Sequence, residues 1–290
     1  MTPKRRSVTR RRVTDIVVKV VAWVGATVGI TALALILYVV VRRGIGAINW
    51  SFFTQTPPTP GGSGGGLGPA IVGTLVITCV AALMGIPLGF FAAIYLAEFG
   101  RDGRIATAIR LVANVMMGVP SIVVGVFAYG LLVMSQHHYS GLAGAAALAF
   151  IMLPVMARTA EDMLNLVPNE LRESALALGA PRWKATLGVV CRAAKAGLLT
   201  GGILAVVRVG GETAPLLFTA LNSPYWLTGL LGPSGFLGGP TANLTVSIYN
   251  YAQSPYQNWI NLAWGGALLI IIAVLGMNIL VRVLFQRGSR

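Results

Sequence analysis

The sequence predicts an all-α integral membrane protein of about six transmembrane helices, on the strength of its composition, its recurring uncharged apolar stretches and the placement of its basic residues. Of 290 residues, 56% are hydrophobic and only 10% charged, and the mean hydropathy is +0.76. Ordinary soluble domains carry about 25% charged residues. Apolar stretches long enough to span a bilayer run from end to end, so the chain reads as one continuous membrane domain. The net charge of +14 has the sign expected of a nucleic-acid binder. Its placement argues otherwise: the basic residues gather in Lys4, Arg5, Arg6, Arg10, Arg11, Arg12 and Lys19, between Arg158 and Lys195, and at Arg282, Arg287 and Arg290. These segments fall on one side of the membrane.

The first apolar stretch, residues 16–41, carries one charge, Lys19. At about 1.5 Å per residue it exceeds a ~30 Å hydrocarbon core and spans it with some tilt. It is too long for the h-region of a signal peptide and ends without a small-residue cleavage site, so a retained helix is expected. Residues 42–69 place Trp50, Phe52 and Phe53 at interface depth, then Pro57, Pro58, Pro60 and the glycine-rich run 61–68, which reads as a flexible external connector. That run lacks the Gly-Lys-Ser/Thr ending of a phosphate-binding loop, and no other segment supplies it. Any ATP used with this chain is therefore bound by another.

The second span, 70–97, carries Gly85 and Gly89 around Pro87 at the small-xxx-small spacing that lets helix backbones approach closely. A third, 105–134, is interrupted by Gly118 and Pro120, where a kink or break is expected. Only residues 135–140 separate it from the fourth, 141–155, which makes the two antiparallel neighbours and runs on to Arg158, Glu161 and Asp162. The fifth covers 197–221 and the sixth 259–285, with a stretch free of Lys and Arg, 222–258, between them. Six spans put the N-terminus, the loop with Glu98, Arg101, Asp102 and Arg104, the loop 159–195 and the C-terminus together on the cytoplasmic face. Arg42 and Arg43, outside, and Arg208, within the fifth span, are the exceptions. The domain organisation that follows is an N-terminal unit 1–69, a transmembrane core 70–285 with the cytoplasmic loop 159–195, and a tail 286–290.

Cys79 and Cys191 imply no disulfide framework. His137 and His138 have no acidic or cysteine companions at metal-ligand spacing, so neither metal site nor catalytic centre is expected. The chemistry lies in an intramembrane charge: an ionised side chain near mid-membrane costs about 2.5–3.5 kcal/mol on insertion scales and faces a cavity or a partner. Arg208 and Glu212 stand at i, i+4, where one helical face lets them pair, with Gly210 and Gly211 leaving room for a bend. The planar fork of an arginine suits oxyanion oxygens, and Thr213, Asn114 and Ser121 are further polar groups beside the same route. The purely structural alternative is an ion pair that sets helix register.

The loop before the fifth span reads as a short capped helix: Asn169 to cap it, Glu170 and Glu173 at its positive end, Gly179 and Pro181 to stop it. Leu171, Ala175 and Leu178 fall at i, i+4 and i+7 as one small apolar face. Glu173-Ser174-Ala175, three intervening residues and Gly179 resemble the EAA loop of ABC importer permeases. Ser174 stands where the family usually has its first alanine, and Cys191-Arg192 where it usually has Leu-Pro. From Arg208-Val209-Gly210-Gly211-Glu212-Thr213-Ala214-Pro215 to Ala220, and again over 247–255, the chain resembles the PstA-type permeases of bacterial phosphate importers, a likeness covering roughly residues 68–290.

The resemblance implies a type I ABC importer permease fold, with Leu171, Glu173, Ser174, Ala175 and Gly179 docking on an ATPase and Arg208, Glu212 and Thr213 along the substrate pathway. It implies as partners a homologous PstC-type permease, two copies of a PstB-type ATPase that uses ATP and Mg2+, a PstS-type external phosphate-binding protein meeting residues 222–258, and lipid, in a bacterial inner membrane. No cofactor is expected on this chain and no nucleic acid. The competing readings are a permease for another oxyanion (sulfate, molybdate or phosphonate), a secondary transporter in which Glu212 carries a proton or cation, and a membrane scaffold that leaves Arg208 and Glu212 unexplained.

Overall fold

The structure, a computed structural model, describes residues 8–100, 103–229, 232 and 235–286. Lys4, Arg5, Arg6, Arg101, Asp102, Arg287 and Arg290, and with them the tail from residue 287 on, lie outside the described residues. The described regular structure is helical: α1 (Val8–Gly44), α2 (Gly68–Gly100), α3 (Arg104–Gly118), α4 (Ser121–Gln136), α5 (Gly141–Asn165), α6 (Asn169–Ala177), α7 (Arg182–Ala193), α8 (Lys195–Gly210), α9 (Ala214–Thr219), α10 (Leu244–Ala252) and α11 (Gln257–Gln286), with a short turn at Trp50–Thr54. Four of these, α1, α2, α5 and α11, are each long and apolar enough to cross a membrane, and the bent pairs α3–α4 and α7–α8 raise the number to six when each counts as one crossing.

Helix α5 is the hub, 67% of its most apolar window being buried inside the chain, against 6% for α1. Its seam with α2 is built on small residues: a Cβ on Gly85 would stand 3.1 Å from the Ala149 carbonyl oxygen, and one on Gly89 2.8 Å from that of Leu153. In lipid, where apolar tails compete equally for apolar side chains, such close backbone approach supplies the packing. Pro87 lies inside α2 without ending it. By contrast α1 docks only through its last turns, where Val40 is buried, Gly44 meets Trp264 and Leu268, and Arg43 lies 5.2 Å over the Trp264 ring.

The third span is broken rather than kinked, with α3 and α4 meeting at 103°. Pro120 is the cause: it lacks the N–H a helix would use and forces Val119 into extended backbone, φ −72° and ψ 129°. The break turns α3 sharply away from α4, and α3 brings Arg110 to the Leu96 carbonyl and to Glu161. The fifth span, 197–221, is interrupted by the non-helical step at Gly211–Thr213 before α9, and a 76° bend at Ala194 sets α8 off from the preceding α7.

The connector expected to be flexible is pinned instead, and so is the buried part of the stretch 222–258. In the connector 42–69, Phe52 and Leu67 are fully buried, Asn258 donates to the Gly62 carbonyl at 2.8 Å and the Trp259 indole to that of Pro58 at 3.1 Å. Its glycines permit this, since a Cβ on Gly66 would collide with the Ser51 and Phe52 backbone. Within 222–258, residues 241–247 are all buried, packed against the ends of α2, α9 and α11.

Candidate functional site

Two charged regions stand out, one at each end of the path from α6 to α9. The first is built around α6. Its N-cap is Pro168, not Asn169: Asn169 is the first helical residue, and its Oδ1 accepts from Arg172 Nη1 at 3.3 Å. The preceding proline fixes the entry angle, which frees the asparagine for that contact. At the other end Gly179 has φ +84°, with Gly179 N–H donating to Leu176 O at 2.9 Å and Ala180 N–H to Ala175 O at 3.2 Å, the paired bonds of a Schellman stop.

The expected apolar face of α6 is divided. Ala175 is buried alongside Arg172, while Leu171 and Leu178 face outward with Glu173, Ser174 and Gly179. The division follows from Arg172, whose bonds turn its side of the helix inward. Its Nε and Nη2 reach Glu98 Oε1 at 2.9 and 2.8 Å, Nη2 donates to the Leu164 carbonyl at 2.7 Å, and Nη1 donates to that of Val167. Both side chains of the pair are about nine-tenths buried, at 10% and 9% exposure. Every limb of the guanidinium is thus used, and α6 is bolted to the end of α2 and to the end of α5.

Beside this joint, Glu161 of α5 is 2% exposed. Its Oε1 accepts from Arg110 Nε at 2.7 Å, and Oε2 stands 3.5 Å from Arg158 Nη1, whose Nη2 lies 3.5 Å from Asp162. Arg110 Nη2 also donates to the Leu96 carbonyl at 3.1 Å. The network joins α2, α3 and α5 below the break at Pro120. Sequence reasoning overlooked Arg110, Glu98 and Arg172 in these roles. The available signal was Arg110 itself, a cation inside an expected span, which by default demands a partner.

The second region is a cavity of about 250 Å³ where the two interruptions face one another. Pro120 and Ser121 line it from the α3–α4 break, Phe150 and Ile151 from α5, and Arg208 and Glu212 from the end of α8 and the step after it. Arg208 is exposed and Glu212 half-buried. The expected ion pair between them is not formed: among the described residues no contact of 4.0 Å or less joins their charged groups. Pairing at i, i+4 requires one continuous helix, and α8 stops at Gly210. Thr213 sits at the start of α9 outside the cavity lining; Ser121 lines it and Asn114 does not. The cavity therefore offers a cation whose donors are uncommitted among the described residues and a carboxylate not paired with it, opposite an apolar wall.

A membrane-embedded helical bundle with an exposed, glycine-stopped helix at one end and an uncommitted arginine midway is the layout of a transport permease. The family model of the binding-protein-dependent transport system inner membrane component matches residues 85–290, and the chain belongs to that family. It is 42% identical over 287 residues, 99% of this chain and 95% of the other, to the phosphate transport system permease protein PstA of Yersinia pestis. With the PstA of Haemophilus influenzae (strain ATCC 51907 / DSM 11121 / KW20 / Rd) it shares 44% over 265 residues, 91% of each chain. In three dimensions it is similar to a chain of the MetNI methionine ABC transporter in an inward-facing conformation, with a TM-score of 0.61 at 20% identity, over 77% of this chain and 96% of that one. The fold is that of a type I ABC importer permease, and the protein is a multi-pass membrane protein.

Proposed function

We propose that this chain is the transmembrane permease subunit of an ATP-driven importer that moves inorganic phosphate into the cytoplasm by alternating access. The observation that carries the reading is end-to-end similarity to phosphate transport system permeases, which reaches across the Arg208–Ala220 segment bearing the uncommitted cation. Arg208 meets phosphate with charge-assisted, fork-shaped hydrogen bonds as it passes. Glu212, held off the arginine, keeps that grip transient by placing a negative charge beside the anion.

The subunit works with a homologous PstC-type permease, two copies of a PstB-type ATPase and a PstS-type external binding protein. ATP and Mg2+ belong to the ATPase, which grips the outward face of α6 at Leu171, Glu173, Ser174 and Gly179. Motion of α6 passes through Arg172 to Glu98 and to the end of α5, hence to the helices that line the cavity. The basic end of the bundle, with α6 and both termini, faces the cytoplasm of a bacterial cell, as the asymmetry of Lys and Arg favours.

The test is uptake of labelled phosphate by proteoliposomes holding the full complex, with sulfate, molybdate and phosphonate as competitors. ATP-dependent phosphate uptake that Glu173→Arg abolishes, with ATPase lost from the purified complex, is the expected result. Uptake that survives removal of the ATPase sinks the reading in favour of a secondary transporter, and preferential uptake of another oxyanion corrects the substrate.

A further inference from the structure

Helix α9 is clipped at both ends by one buried segment, residues 241–245, which leads into the first turn of α10. At its start, the Thr245 hydroxyl donates to the carbonyl of Glu212 at 3.0 Å. At its end, Leu221 takes a left-handed turn, φ +55°, and its carbonyl accepts from Asn243 Nδ2 at 2.9 Å. Leucine in that conformation is strained, and such strain persists only where surrounding bonds over-determine it. Thr241 N–H adds a bond to the Ala220 carbonyl at 2.9 Å.

The clip is itself rigid. Asn243 is fully buried, and its Oδ1 caps α10 by accepting from Val246 N–H at 3.0 Å. Leu244 N–H donates to Thr74 Oγ1 of α2 at 2.7 Å. Facing the other way, α9 presses on α4, where a Cβ on Gly125 would stand 2.7 Å from the Pro215 Cα. The α3–α4 break and the Glu212 step wall the same cavity. A displacement of residues 241–245 is therefore delivered to the Glu212 backbone at one end of α9 and to α4 along its side.

We infer that Asn243 and Thr245 are positioning residues for transport: through their bonds to the Leu221 and Glu212 carbonyls they set the place of α9, and so carry to the cavity the engagement of the binding protein at the outer face. The inference rests on the importer reading above. It adds a route, from the outer loop inward, that mirrors the one from α6.

The experiment is the ATPase rate of the full reconstituted complex with and without phosphate-loaded binding protein. Thr245→Val is expected to lower the stimulated rate about five-fold, the effect of one lost hydrogen bond at a moving joint. The unstimulated rate and the half-saturating concentration of binding protein stay at wild-type values, and Thr245→Ser restores stimulation. Asn243→Asp keeps the acceptor for Val246 N–H but turns a carboxylate oxygen toward the Leu221 and Thr241 carbonyls in place of a donor; where that variant assembles it gives the same loss of stimulation, and it decides the matter if Thr245→Val fails to assemble. Wild-type stimulation in the variant that assembles overturns the inference and leaves the importer reading standing, as does an equal loss of both rates that Thr245→Ser does not rescue. A wild-type complex deaf to the loaded binding protein brings down the importer reading and this inference with it.

Discussion

The joint beneath α6 and the cavity beside α9 treat an arginine in opposite ways. Arg172 is buried with each limb of its guanidinium occupied, by one carboxylate, two backbone carbonyls and an amide oxygen. Arg208 lies exposed in a cavity that Glu212 also lines, with no ion pair between them. A saturated cation fixes geometry, whereas an uncommitted one is free to bind. Under the importer reading proposed above, the difference assigns force transmission to Arg172 and cargo to Arg208. It also explains the broken helices, because α8 must stop at Gly210 for Arg208 and Glu212 to stay apart.

The comparison breaks first at the saturated end. Arg172→Ala leaves Glu98 buried without its cation and two carbonyls without donors, and removal of one partner from such a pair costs about 3–5 kcal/mol. Denaturant unfolding of the purified complex in detergent measures that loss. Exchanging the charges as E98R/R172E does not repair it, because a carboxylate at 172 meets the Leu164 and Val167 carbonyl oxygens. Full recovery in the exchanged pair shows that Arg172 acts as a simple charge partner and removes its role as a bolt between α6 and α5.

At the free end, Arg208→Gln is expected to leave unfolding unchanged, since no described group depends on that cation. Phosphate uptake falls about ten- to hundred-fold, the worth of hydrogen bonds to a charged group. Normal uptake at full expression removes Arg208 from the pathway. A variant that lowers stability and uptake together turns the cavity into a structural site and erases the contrast.

Much of this was legible in the residues and some was not. Six apolar stretches, the basic asymmetry and the Gly179 stop follow from transfer energies and backbone sterics, both local to the sequence. The inward turn of Ala175 and the saturation of Arg172 depend on Glu98, a residue 74 positions away, and no period within α6 reports it. Likewise the spacing of Arg208 and Glu212 suggested a pair because it assumed an unbroken helix. Gly210 and Gly211 warned of the stop without locating it. Asn243 ahead of an apolar run is a helix-start signal that the reading of 222–258 passes over, and its bond to Leu221 depends on tertiary packing.

A smaller effect sharpens the docking end. Gly179→Ala meets open space, so the penalty is the left-handed backbone alone, about 1–2 kcal/mol, and it frays the end of α6. ATPase retained through size-exclusion chromatography should fall by about ten-fold or less. Retention at wild-type level places the grip N-terminal to the stop.

The smallest expected change, Ser174→Ala, discriminates between a docking face and a merely solvated one. The Ser174 hydroxyl donates back to the Glu170 carbonyl at 2.7 Å on the exposed side of α6, a bond that competes weakly with the helix. Alanine there favours the helix by a few tenths of a kcal/mol, and uptake should stay within about two-fold of wild type. Ser174→Trp keeps the same backbone and lies on the same outward surface, so a solvated face tolerates it equally well. A face that enters a groove does not: the expected outcome is an intact, stable permease that no longer retains the ATPase, and equal retention with alanine and tryptophan removes Ser174 from the contact.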